Sequence, residues 1–169
     1  MDTKQNAEQS AKGSAHVHVV CPHCDTTNRV SRERVGAGPK CGSCKRTLLL
    51  PVPFELSGEN YERHVSATDL PLIVDFWAAW CGPCQMMAPA YEQAAARLAP
   101  GIRLAKLDTE KNPDIAGRMN IRGIPTLIAF KDGREVARQS GAMNLSGLLG
   151  WINSNVGEPA PGENSRDER

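Results

Sequence analysis

Six cysteines fall into three Cys-x-x-Cys pairs with none left over, a pattern that a random scatter would not readily produce. Cys81-Gly82-Pro83-Cys84 follows an apolar run and opens a predicted helix. Free N–H groups and the positive end of the helix dipole at that point favour a thiolate at Cys81 over a thiol. Only the thiolate attacks a disulfide. The mixed disulfide that results is resolved by a second thiol within reach, and Cys84 lies one helical turn further on. The alternative, half of a zinc site, lacks a third or fourth ligand nearby in sequence.

The other two pairs, Cys21-Pro-His-Cys24 and Cys41-Gly-Ser-Cys44, are separated by sixteen residues. That matches the spacing of a zinc ribbon, in which two tight turns joined by a hairpin complete a tetrahedron of four thiolates around one structural Zn²⁺. Gly36, Gly38 and Gly42 supply turn flexibility. The competing reading is a pair of disulfides or an extra redox couple. His18 and His23 are expected to face solvent, since four cysteines are already in register. Arg29, Arg32, Arg34, Lys40, Lys45 and Arg46 outnumber Asp25 and Glu33 in this segment. The negative charge of a four-thiolate centre and the lack of Phe, Tyr or Trp argue against nucleic-acid binding.

These groups need elements to hold them. Residues 16–50 are poor in apolar side chains, and a unit below roughly 40 residues usually needs a metal or disulfides to fold. Residues 51–156 carry an alternating α/β pattern. PVPFELSGEN is a connector and first strand, with Pro51 and Pro53 limiting helix formation. Ser57 is a candidate N-cap for a short helix through His64. LPLIVDFWA is nearly all apolar, as a strand covered on both faces should be. A helix is predicted from about Pro83 to Leu98 with a kink at Pro89. A strand at IRLAKLD and a short helix at NPDIAGRMN follow, with Pro113 in the first turn. TLIAF and REVARQS flank Lys131-Asp132-Gly133, a hairpin signal. A helix from Asn144 to about Asn155 closes the unit, with Leu145, Leu148, Leu149 and Ile152 on its apolar face. The polar ends, 1–15 and 157–169, are expected to be disordered tails.

A formal charge of +1 with 40% hydrophobic residues gives no electrostatic argument for nucleic acid, membrane or acidic substrates. No apolar run approaches the ~20 residues that span a bilayer. The first residues have no apolar core of a signal peptide, so a reducing, cytoplasmic location is expected, where cysteines bind metal or do redox chemistry.

VDFWAAWCGPC, then IRGIPT, then FKDG resembles the thioredoxin family over roughly Phe54 to Val156, and the cysteine-rich segment in front is similar to the zinc-containing branch of bacterial thioredoxins. The resemblance implies a thioredoxin fold, a central mixed sheet flanked by helices, preceded by the zinc ribbon. It implies a protein disulfide reductase with Cys81 as nucleophile and Cys84 as resolving thiol, and no cofactor for the redox chemistry itself. Electrons would come from a flavin-containing thioredoxin reductase that uses NADPH. Asp75, inside LIVDFW, would exchange a proton with Cys84, its pKa raised by desolvation; the alternative is a carboxylate turned to solvent at a strand end. Lys106 matches a family lysine near that carboxylate, though most lysines are simply solvated. Pro125 matches a cis-proline facing the redox pair, an assignment that the resemblance carries. Ile124 and Thr126 would offer backbone groups to an extended substrate peptide. Trp80 would face the substrate and Trp77 would pack, while Gly82, Pro83, Gly123 and Gly141 keep the surface low. Partners would be disulfide-containing proteins, and the chain is expected to act as a monomer.

Two other functions fit parts of the pattern. One is a zinc-dependent redox sensor or chaperone-like binder, in which oxidation ejects zinc. The other is a thiol oxidase or isomerase on the same fold, against which the Gly-Pro dipeptide argues.

Overall fold

The structure, a computed structural model, describes residues 15–157. The expected tails therefore lie outside the described residues, save for Ala15 and Gly157. β1 (His16–Val20) and β2 (Thr27–Ser31) form an antiparallel hairpin, His16 opposite Ser31 and Val20 opposite Thr27. A 3₁₀ turn, Arg32–Ala37, ends at Gly38, whose φ of 69° is the left-handed conformation glycine adopts without strain. The return segment closes through a bridge between Lys40 and Thr47. Val17, Val19, Val20, Cys21, Val30, Cys41, Leu48 and Leu49 are the buried apolar residues here. Two of them are cysteines, so burial alone is a thin basis for folding.

A five-stranded sheet follows, in the order β3-β5-β4-β6-β7. β3 (Phe54–Leu56), β4 (Leu72–Trp77) and β5 (Arg103–Asp108) run parallel; β6 (Thr126–Lys131) and β7 (Arg134–Ser140) add antiparallel. Along β4 alternate side chains serve two cores. Leu72, Val74 and Phe76 pack with Phe54, Tyr61, Val65 and Ile115 beneath α1 (Tyr61–Ala67) and α3 (Pro113–Arg118). Ile73 packs with Met87, Tyr91, Leu98, Leu148 and Ile152 beneath α2 (Gly82–Leu98) and α4 (Leu145–Val156). By the same alternation Asp75 points to the α2 side.

The hairpin signal at 131–133 is present as expected: Asp132 (φ 53°) and Gly133 (φ 76°) are both left-handed, as a two-residue turn between twisted strands requires. Asn144 caps α4, its Oδ1 accepting from the Gly147 N–H at 2.8 Å. Pro89 lies inside α2 without ending it. The reading at Ser57 needs correction. Its carbonyl accepts from the N–H groups of Asn60 and Tyr61, and its hydroxyl from that of Glu59. Residues 57–60 are thus a separate turn, Asn60 is the N-cap, and the helix runs on to Ala67 rather than stopping at His64.

Candidate redox centre and metal site

β4 ends at Trp77, and after a short turn Cys81 becomes the N-cap of α2. Its Sγ accepts the Cys84 N–H at 3.2 Å, one of the donors left unpaired at a helix start. Cys81 and Cys84 are joined in a disulfide, with Cα atoms 5.3 Å apart. Both residues are 3% exposed and pack with Ala78, Trp77 and Ile124. Cys81 Sγ lies 3.7 Å from the Ile124 carbonyl oxygen. The Ile124–Pro125 bond is cis, and the Pro125 carbonyl accepts from the Gly141 N–H at 2.9 Å. Gly82, Pro83, Gly123 and Gly141 are exposed around the pair, and Ile124 is half-buried.

Thr126 stands apart from these. It is buried within β6, opposite Phe76 on one side and Ser140 on the other. Its hydroxyl donates to the Gly123 carbonyl and lies 3.0 Å from Ser140 Oγ. Ile124 by contrast precedes the strand and is outside the sheet ladder, so of the two it has main-chain groups to offer a bound peptide.

Trp80 is 67% exposed, and its indole N–H donates to Glu110 Oε1. Met86, one turn into α2, is 80% exposed. Nothing in the sequence marks Glu110 or Met86 as a site residue. Glu110 is thirty residues from Trp80 and sits in an ordinary polar stretch, while Met86 has the look of a core residue.

Asp75 is 1% exposed, and burial pushes its carboxyl up to about 7, against a weaker downward pull from Lys106. Its Oδ1 has no hydrogen-bond partner among the described residues. Lys106 is the register partner of Asp75 on β5, and its ammonium lies 4.3 Å from the centre of the Trp77 ring. Trp77 is thus wedged between the cysteine cluster and Lys106, a packing position.

In the amino-terminal unit the Sγ atoms of Cys21, Cys24, Cys41 and Cys44 all lie within 4.8 Å of one another. The Cys21–Cys44 and Cys24–Cys41 separations are both 3.6 Å, and all four thiols are free of disulfides. A tetrahedron with zinc–sulfur bonds of about 2.3 Å has edges of about 3.8 Å, so the cluster fits that ion. The two turns repeat one design. Cys21 N–H bonds the Thr26 carbonyl and Asp25 N–H the Cys21 carbonyl; Cys41 N–H bonds the Arg46 carbonyl and Lys45 N–H the Cys41 carbonyl. Asp25 (φ 63°) and Lys45 (φ 67°) occupy the same left-handed place after each second cysteine. The His23 N–H points to Cys21 Sγ at 3.4 Å and the Ser43 N–H to Cys41 Sγ at 3.3 Å. The four thiols are not alike: burial pushes Cys21 up to about 12, whereas N–H groups, that of Cys44 foremost, lower Cys41 to about 6. His18 and His23 are exposed and lie outside the sulfur cluster: His18 Nδ1 is 2.9 Å from Asp69, and His23 Nε2 is 3.1 Å from the Thr47 carbonyl.

Residues 52–154 match the family model described as Thioredoxin, and residues 20–46 match that described as Thioredoxin 2, N-terminal. The chain is 42% identical over 138 residues to Thioredoxin C-3 of Corynebacterium nephridii, covering 82% of this chain and 94% of that protein. It is 40% identical over 102 residues to the thioredoxin of Rhodospirillum rubrum, covering 60% of this chain and 98% of that one. Among solved structures, a mutant thioredoxin from Halobacterium salinarum NRC-1 is similar at 33% identity with a TM-score of 0.59, covering 68% of this chain and 99% of that one.

Proposed function

The chain belongs to the thioredoxin family of protein disulfide reductases, and on that premise we propose a division of labour within its site. Cys81 is the nucleophile. The observation that carries this is its position as N-cap of α2, with the Cys84 N–H aimed at its sulfur, an arrangement that stabilises a thiolate. In the reduced protein the Cys81 thiolate attacks one sulfur of a substrate disulfide, and the other sulfur leaves as a thiolate that takes up a proton. Cys84 then loses its proton and attacks Cys81 Sγ. The Cys81–Cys84 disulfide closes and the second substrate thiol is released, two electrons and two protons having passed to the substrate.

Asp75 is the group suited to accept the Cys84 proton. It lies on the α2 side of β4, and burial raises its carboxyl into the range where it can take and return a proton near neutrality. Lys106 keeps that carboxyl from rising further. Ile124, before cis-Pro125, is the backbone contact for an extended substrate segment. Trp80, Gly82, Pro83, Gly123 and Gly141 form the open surface around it. A flavin-containing, NADPH-dependent thioredoxin reductase restores the dithiol. Cys21, Cys24, Cys41 and Cys44 hold one structural Zn²⁺, whose binding would fix the two turns relative to each other. Among the described residues no helix is long and apolar enough to cross a membrane. Reductase chemistry and cysteines kept as thiols suit a cytoplasmic location, and we read the protein as a monomer.

The test is reduction of insulin disulfides with NADPH and thioredoxin reductase. Turnover should vanish in Cys81→Ser, and Cys84→Ser should accumulate the mixed disulfide. Turnover that survives Cys81→Ser would overturn the assignment.

A second reading, zinc-dependent redox sensing, draws on the exposure of Cys24, the ligand an oxidant meets first. Zinc retained at peroxide doses that fully oxidise Cys81 would reject it.

A further inference from the structure

Arg103 opens β5 and is 5% exposed, yet no carboxylate pairs with it among the described residues. A buried cation without an anion is costly. Its partners come instead from the seam between the two units. Nη2 donates to the Val20 carbonyl at 2.9 Å, Nη1 donates to Thr68 Oγ1 at 3.1 Å, and the guanidinium lies 4.6 Å from the Phe54 ring centre. Val20 is the last residue of β1, and Cys21 follows it directly.

The rest of the seam fixes this geometry. The Val20 N–H donates to Thr68 Oγ1 at 3.3 Å. The Asp69 N–H donates to the His18 carbonyl at 2.9 Å, and the His18 N–H to Asp69 Oδ2 at 2.7 Å. β1 therefore docks by its main chain on the segment between α1 and β4. On the other side of the first cysteine turn, Asp25 Oδ1 is 3.0 Å from Nε2 of the fully buried His64 and accepts from Asn60 Nδ2 at 3.2 Å.

The charge balance points to the metal centre. His64 is held neutral by burial and by the nearby Arg103, so it neither competes with nor offsets the guanidinium. The carboxylates at this seam are engaged elsewhere, Asp69 by His18 and Asp25 by His64 and Asn60, so the negative group left to face Arg103 is the set of four thiolates, which with Zn²⁺ would carry about −2 formally. We propose that Arg103 is a positioning residue of the metal centre, a cation from the sheet unit that fixes Cys21 through the Val20 carbonyl and balances the thiolate charge. Zinc retention then depends on a side chain about sixty residues from the nearest ligand in sequence.

This inference rests on the zinc reading, and the test separates the two. Zinc content of the full-length wild type is measured first; a chain purified without stoichiometric zinc would remove the metal reading, and the role of Arg103 with it. Zinc transfer to excess 4-(2-pyridylazo)resorcinol is then timed for the wild type, Arg103→Met and Arg103→Lys. Arg103→Met should release zinc about tenfold faster or more, the usual effect of losing a buried charged hydrogen bond, and Arg103→Lys should recover part of the difference. Release from Arg103→Met at the wild-type rate, or from Arg103→Lys as fast as from Arg103→Met, would overturn the proposal. If Arg103→Met does not fold, Thr68→Val decides: it removes the oxygen that accepts from both Arg103 Nη1 and the Val20 N–H, and should release zinc several-fold faster than the wild type. Release from Thr68→Val at the wild-type rate would overturn the proposal equally.

Discussion

Asp75 and Lys106 face each other across the β4–β5 pair without forming an ion pair; the ammonium rests over the Trp77 ring instead. The carboxyl therefore has a cation near enough to influence it but no direct partner, and burial dominates its behaviour. That balance makes the pair the natural place to probe the site.

The Asp75 carboxyl has its pKa raised from 3.8 to about 7 in the folded protein. The folded state therefore binds the proton more tightly than the unfolded chain. Its relative stability is fully present below pH 4 and is lost as pH rises through 7. Asp75→Asn should stabilise the oxidised protein at pH 8 by up to about 4 kcal/mol, less whatever the buried amide costs, and by little at pH 4. Urea melts at the two pH values check this. The same substitution should slow insulin reduction at neutral pH by about a hundredfold, the lower end for a lost general base.

Lys106→Met removes the charge that pulls the Asp75 carboxyl down. The titration of Asp75, followed by carboxyl-carbon NMR, should move to higher pH. The pH–rate profile of disulfide reduction should move the same way. A midpoint that stays put would show that Lys106 acts only by packing on Trp77.

The amino-terminal unit has few buried apolar residues besides Cys21 and Cys41. Structural zinc supplies ~10–16 kcal/mol in small modules. Cys41→Ser, or chelation, should therefore unfold 16–50 while the sheet unit stays folded. Circular dichroism and zinc content together read this out, with loss of the hairpin amides in exchange experiments as a local check.

Asn144→Ala removes the Oδ1 acceptor of the Gly147 N–H. The expected cost is about 1 kcal/mol in denaturant melts, with insulin turnover within twofold of wild type.

Local chemistry made much of this protein legible from sequence. LIVDFW reads as a central strand because both its faces are covered, and Asp-Gly reads as a hairpin turn because few residue pairs take two left-handed conformations. Cys-Gly-Pro-Cys at a strand–helix junction declared its own chemistry. Ser57 misled because the turn at 57–60 offers the same hydrogen-bonding groups as a cap, and only the order of the bonds separates them. The Trp80–Glu110 bond and the Arg103 seam were illegible for another reason. Each joins residues distant in the chain, the first through one side-chain bond and the second through several, and neither leaves a periodicity or a motif. An arginine starting a strand looks solvent-facing until another unit covers it.

β7 forms the outer edge of the sheet, with one side of its ladder open. Nearly every residue along it is exposed, and Arg134, Glu135 and Arg138 make it charged, Arg138 and Glu135 being clasped to each other. Such an edge is a poor template for strand addition by another copy. Through this edge two copies are kept from joining their sheets into a longer one, a protection against aggregation written into the side-chain charges of a single strand.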